Sequence, residues 1–162
     1  KFVAAINKAV PSLVRTESDE LTYCLHIMIR YELEKQLMDG SLAITDLPAA
    51  WDDLYEKYLG VRPANVAEGV LQDIHWSQGS IGYFPSYALG NAYGAQIAHR
   101  MAEDMDIDAL LEQGNVSVIT DWLHEHIHRF GAVYDARDLL MKVTGEDFNP
   151  KYYFEYLQRK FG

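Results

Sequence analysis

The stretch Glu17–Leu37 limits the folds open to this chain more than any other feature. Leu21, Tyr23, Leu25, Ile27, Met28, Ile29, Leu33 and Leu37 make it apolar on most of its surface, and a helix of that kind belongs in an interior. Thr16 before the acidic turn Glu17, Asp19 and Glu20 predicts the helix start, and Gly40 predicts its stop after about Asp39. Down this helix run Asp19, Thr22, His26 and Arg30, spaced by three and four residues. They form a polar stripe on one side. Two readings stand open: a buried network in which Asp19 or a downstream acid satisfies Arg30, or the lining of a substrate groove.

The rest of the chain is punctuated in the same way, with almost no strand pattern. Asp46-Leu47-Pro48 opens a helix carrying Trp51, Leu54, Tyr55 and Tyr58 and closing at Gly60. Tyr87 to Met105 reads as a helix rich in small residues (Ala88, Gly90, Ala92, Gly94, Ala95, Ala98). Shorter helices follow at 107–113, 116–130, 136–143 and 150–160, the last capped by Asn149 ahead of Pro150. The prediction is all-α, a single helical region over 1–162. Lys1 in place of a start methionine, followed at once by the helical run Phe2 to Ala9, predicts a portion of a longer polypeptide.

One block escapes both periods. Gly69–Asn91, GVLQDIHWSQGSIGYFPSYALGN, sets Gln72, Asp73 and His75 among Trp76, Tyr83, Phe84 and Tyr87, broken by Gly79, Gly82 and Pro85. An irregular segment with that aromatic mass must satisfy its polar groups inside the protein, which is costly. The expectation is a binding or catalytic site.

Composition removes several classes of function. With 14 basic and 24 acidic side chains the formal charge is −10, which repels phosphate backbones and anionic membranes and argues against nucleic acid as a partner. Cys24 is the single cysteine, so neither a disulfide framework nor a Cys-rich metal site is available. No apolar run approaches the roughly 18 residues of a membrane span, and no leader pattern is present. These features predict a cytoplasmic, soluble protein.

His124-Glu125-His126-Ile127-His128 matches H-E-x-x-H literally, with two histidines one helical turn apart and a glutamate between them. A catalytic zinc needs a third protein ligand, for which only Glu146 and Glu155 offer themselves. Trp122, Leu123 and Ile127 read as a core stripe, leaving His124, Glu125 and Arg129 solvated. A surface helix is the expectation. Tyr152, Tyr153, Phe154, Tyr156 and Phe161 read as packing or interface.

Three separated stretches, VRTESDELTYCLHIMIRYELEK, GVLQDIHWSQGSIGYFPSYALGN and TGEDFNPKYYFEYL, together resemble the C-terminal part of the thermostable (Taq-type) zinc metallocarboxypeptidases. The family's (I/V)-R-x-x-A-D corresponds to Val14–Asp19, with Ser18 replacing alanine, and its G-x-x-Q-D-x-H-W to Gly69–Trp76. The resemblance implies the helical C-terminal portion of a larger, mostly helical, zincin-like enzyme with a deep groove. It implies a zinc- or cobalt-dependent hydrolase releasing single residues from peptides with a free C-terminus. The metal ligands lie upstream, so this chain is expected to bind no metal, to lack its N-terminal half and to be inactive alone. Metal-activated water would attack the scissile carbonyl. By position in the motifs, Arg15 would hold the terminal carboxylate, and His75 and Tyr83 would donate to the oxyanion or the departing group. Gln72, Asp73 and Tyr87 would orient them. A homo-oligomer is also implied. The alternatives are a non-catalytic helical interaction module and a self-contained zinc hydrolase using His124, Glu125 and His128.

Overall fold

A computed structural model describes residues 2–162, and among these every regular element is helical. In order they are α1 (Phe2–Ile6), α2 (Glu20–Asp39), α3 (Leu47–Leu59), α4 (Pro85–Asp104), α5 (Ile107–Glu112), α6 (Val116–His126), α7 (Ala136–Thr144) and α8 (Lys151–Phe161). Short 3-10 turns stand at Arg15–Glu17, Val70–Gln72 and His128–Phe130. The chain divides into two compact units, one running through Leu89 with Phe161, the other from Gly90 to Lys160 with Gly162.

In the first unit, α2 starts later than Thr16 would place it. Ser18 donates from both its backbone N–H and its hydroxyl to the Arg15 carbonyl, at 3.2 and 2.7 Å, closing the 3-10 turn. Asp19 is left extended, and its carboxylate accepts the Thr22 N–H at 2.9 Å as the true N-cap. Gly40 closes α2 with φ 77°, a left-handed conformation that glycine adopts without strain. Pro48 sits in the first turn of α3, where no intrahelical N–H is lost.

These two helices build the core of the unit. Ile29 and Leu33 of α2 pack with Leu47, Trp51, Tyr55 and Leu59 of α3, and Trp76 joins from the irregular block. Burying each of the larger side chains contributes about 1.5–3 kcal/mol. The Trp51 and Tyr55 rings stack with centroids 5.1 Å apart, which fixes the Tyr55 hydroxyl against α2.

The second unit is organised around Met101, Trp122 and Val143, with Ile97, Ile107, Ile119 and Leu139 against them. Its buried polar groups are satisfied locally: Trp122 Nε1 donates to Asp104 at 2.8 Å. The buried Gln96 amide donates to the Asp147 carbonyl at 3.0 Å and accepts the Asn149 N–H at 2.9 Å. Asn149 also caps α8, accepting the Lys151 N–H at 3.1 Å.

The helix expected over 116–130 is broken. The His126 ring folds back, with Nδ1 donating to the Trp122 carbonyl at 2.9 Å and the imidazole stacked on the Trp122 indole at 4.2 Å. Such a side-chain bond competes with helix propagation. Ile127 then departs from helical geometry (φ −129°, ψ −64°), and His128 opens a separate 3-10 turn.

Candidate functional site

The irregular block folds by turns rather than by a repeating element. A 3-10 turn at Val70–Gln72 delivers Gln72 and Asp73 toward α2, and successive turns carry His75 and Trp76 inward. Its last residues are helical: α4 begins at Pro85, two residues before Tyr87. Proline needs no N–H partner and has a helical φ already, so here it starts a helix instead of breaking one.

Asp73 is the hinge of the site. Its Oδ1 accepts Arg15 Nη2 at 2.8 Å and Nε at 3.3 Å, while its Oδ2 accepts Arg30 Nε at 2.7 Å and Nη2 at 2.5 Å. Each arginine thus presents the same guanidinium edge to a different oxygen of one carboxylate. Burial pushes the Asp73 pKa up, but the hydrogen bonds and charges of Arg15 and Arg30 outweigh it and hold the carboxyl below its usual range. For Arg15, burial pulls the pKa down and the pairing with Asp73 more than reverses this.

Gln72 ties the same groups through its amide. Its Oε1 accepts the Arg15 backbone N–H at 3.3 Å and Arg30 Nη2 at 2.9 Å, and its Nε2 donates to the Leu13 and Glu68 carbonyls at 3.0 Å each. Arg30 is wholly buried and lies over the Trp51 ring at 4.5 Å. Its Nη1 donates to the His26 carbonyl at 2.8 Å and to Tyr55 Oη at 3.1 Å. The Tyr55 hydroxyl also shares a hydrogen bond with His26 Nδ1, 3.1 Å away, whose direction follows the imidazole tautomer. Burial, then the charges of Arg30 and Arg15, lower the His26 pKa to about 4.

The His75 side chain is 12% exposed. Its Nε2 meets Tyr87 Oη at 3.1 Å, and its Nδ1 lies 3.8 Å from Asp73 Oδ1, too far for a hydrogen bond. That Nδ1 is buried without a protein partner. Tyr83 stacks on the imidazole at 5.8 Å and is 51% exposed, and Phe84 covers it at 4.5 Å. Arg15, 7% exposed, lies over the Tyr87 ring at 4.9 Å.

All six residues singled out by the sequence therefore lie in one connected set: Arg15, Gln72, Asp73, His75, Tyr83 and Tyr87. The polar stripe of α2 resolves largely as the buried network, with Asp73 as the downstream acid. Sequence reasoning missed Tyr55 and Glu34. Glu34 accepts Trp76 Nε1 at 2.7 Å and the Gly82 N–H at 2.5 Å, which holds the irregular block against α2. Its signal was present, since position 34 continues the four-residue step from His26 and Arg30.

The H-E-x-x-H match does not place its two histidines on one helical face. His124 lies on α6, His128 lies beyond the break, both are exposed, and Glu125 pairs with Arg129. Among the described residues no group of three His, Cys, Asp or Glu side chains is arranged to hold a metal ion.

An all-helical chain whose irregular loop carries two arginines on one carboxylate, beside a histidine–tyrosine pair, is matched among metallopeptidases. The family model for the carboxypeptidase Taq (M32) metallopeptidases covers residues 1–161, and the chain belongs to that family. It is 48% identical over 161 residues to Carboxypeptidase 1 of Bacillus subtilis (strain 168), covering 99% of this chain and 32% of that protein. Among solved structures, Trypanosoma cruzi metallocarboxypeptidase 1 superimposes with a TM-score of 0.94 at 36% identity, over 98% of this chain and 32% of that one. The Pyrococcus furiosus carboxypeptidase structure gives 0.93 at 39% identity, over 97% and 32%. The chain spans about a third of the length of these relatives and matches their C-terminal third.

Proposed function

We propose that this chain is the substrate-recognition portion of a metal-dependent carboxypeptidase that releases single residues from peptides with a free C-terminus. The observation that carries the reading is the Arg15–Asp73–Arg30 set with His75, Tyr83 and Tyr87 beside it. Arg15 is the partly accessible cation, and a guanidinium suits a carboxylate through two parallel hydrogen bonds. His75 and Tyr83, stacked at the exposed edge, donate to the oxyanion or to the departing group. Gln72, Asp73 and Tyr87 hold these side chains in place. A divalent metal, zinc or cobalt, would supply Lewis-acid chemistry when bound and would be held by residues outside this chain. The intact protein is taken as a cytoplasmic homo-oligomer.

Two measurements test this. The purified 162-residue chain with added zinc or cobalt should not hydrolyse blocked dipeptides; robust turnover would refute the division of labour. In the full-length enzyme, Arg15→Ala should cost the ~1.5–3 kcal/mol of a charged hydrogen bond, about a ten- to hundredfold loss of kcat/KM. The loss should fall on substrates with a free terminus and spare the amidated ones. Equal losses on both would remove Arg15 from carboxylate binding.

A further inference from the structure

Arg30 lies too deep to touch a ligand, yet it shares the carboxylate that pairs with Arg15. Its donors are taken up inside the protein: Nε and Nη2 by Asp73 Oδ2, Nη2 also by Gln72, and Nη1 by the His26 carbonyl and Tyr55. We propose that Arg30 is a positioning residue that keeps Arg15 electropositive toward an incoming carboxylate, by occupying the second oxygen of Asp73. The inference rests on the reading of Arg15 given above.

A lone Arg15–Asp73 pair would close as a two-oxygen fork and carry no net charge. With Arg30 on Oδ2, Arg15 is confined to Oδ1, and the three groups together keep one positive charge. Among the described residues no other acid cancels it by direct pairing. The Asp19 oxygens accept from Val10 N–H, Thr22 N–H and the Thr22 hydroxyl, and those of Glu34 accept from Trp76 and Gly82. Beyond Asp73, among the described residues the Arg15 side chain meets only Tyr23 Oη as a hydrogen-bond acceptor, at 3.3 Å, on the Nη1 arm. The edge formed by Nη1 and the second Nη2 hydrogen is the one left to meet a ligand, in exchange for the long Tyr23 contact. Arg30 itself is pinned by the Trp51 ring and by the Tyr55 hydroxyl, so the sharing cannot relax by a swing of its guanidinium.

The test uses full-length enzyme and calorimetric binding of N-acetyl amino acids and their amides. Arg30→Met should weaken the acids ten- to hundredfold and leave the amides within twofold. Arg30→Lys, which keeps the charge on Asp73 but not the two-nitrogen fork, should weaken the acids less than Arg30→Met does and leave the amides within about twofold. The double change Arg30→Met with Asp73→Asn leaves Arg15 un-neutralised and still offers it an amide oxygen, so acid binding should return to within about fivefold of wild type. Equal losses of acid and amide in Arg30→Met, or a double variant no better than the single one, would overturn the proposal. If the single variant does not fold, the lysine and double variants decide: a hundredfold acid-selective loss in either is incompatible with the proposal. Arg15→Ala separates the two readings. If it fails to distinguish acid from amide, the carboxylate role of Arg15 falls; if it distinguishes them while Arg30→Met does not, only the role of Arg30 falls.

Discussion

His26 shows how one buried side chain ties stability to pH. It is fully buried, and burial followed by the two arginine charges sets its pKa near 4, against 6.5 for the free group. The unfolded chain therefore binds the additional proton between those values, and stability rises with pH across that window. The contribution is complete above about 6.5 and is lost as pH falls through 4; it amounts to about 3 kcal/mol at full protonation. Urea midpoints at pH 7 and pH 4.5 should differ less in His26→Phe than in wild type; an unchanged difference would show that His26 does not carry this dependence. Asp73→Asn should cost more, about 3–5 kcal/mol, since it leaves Arg30 as a buried cation without its anion. Side-chain types at fixed spacing made these residues visible in the sequence. The pairing was not legible, because Arg30 could meet Asp19 on its own helix or an acid elsewhere, and only the turn at Val70–Gln72 decides for Asp73.

Among the elements, the long helices could be read from their apolar period and glycine stops, and α2, α3 and α4 lie close to their predicted spans. What could not be read were competitions settled by a single hydrogen bond. Ser18 closing on Arg15 moves the start of α2 to Glu20, and the His126 ring on the Trp122 carbonyl accompanies the end of α6 at His126. Asp19→Ala should therefore cost about 1 kcal/mol as loss of an N-cap, whereas Thr16→Ala should cost far less. Chemical denaturation of the two variants checks the assignment. Gly82 has φ 77° and sends its N–H to Glu34, so an L-residue there meets a backbone penalty of about 1–2 kcal/mol. In Gly82→Ala the Trp76 fluorescence should shift as the Glu34 contacts loosen; an unaltered spectrum would mean that the block is held by other groups.

For the molecule as a whole, all-helical architecture and family membership follow directly from the sequence, and the chain spans about a third of the length of the relatives it matches. No described helix is long and apolar enough to cross a membrane. Leu21, Met28, Tyr31 and Met38 of α2 nevertheless stay between 37% and 60% exposed. Apolar side chains so spaced on one helix favour association. Light scattering of the isolated chain should show its mean mass rising with concentration, and a constant monomer mass would contradict this. The Gln72 amide adds a consequence in time. It joins Leu13, Arg15 and Arg30 across 42 to 59 positions of chain, contacts that slow search makes late to form. The α2–α3 hairpin needs no such closure, so the expected order is scaffold first and recognition residues last. Gln72→Ala should accordingly hasten unfolding and leave the refolding rate nearly unchanged.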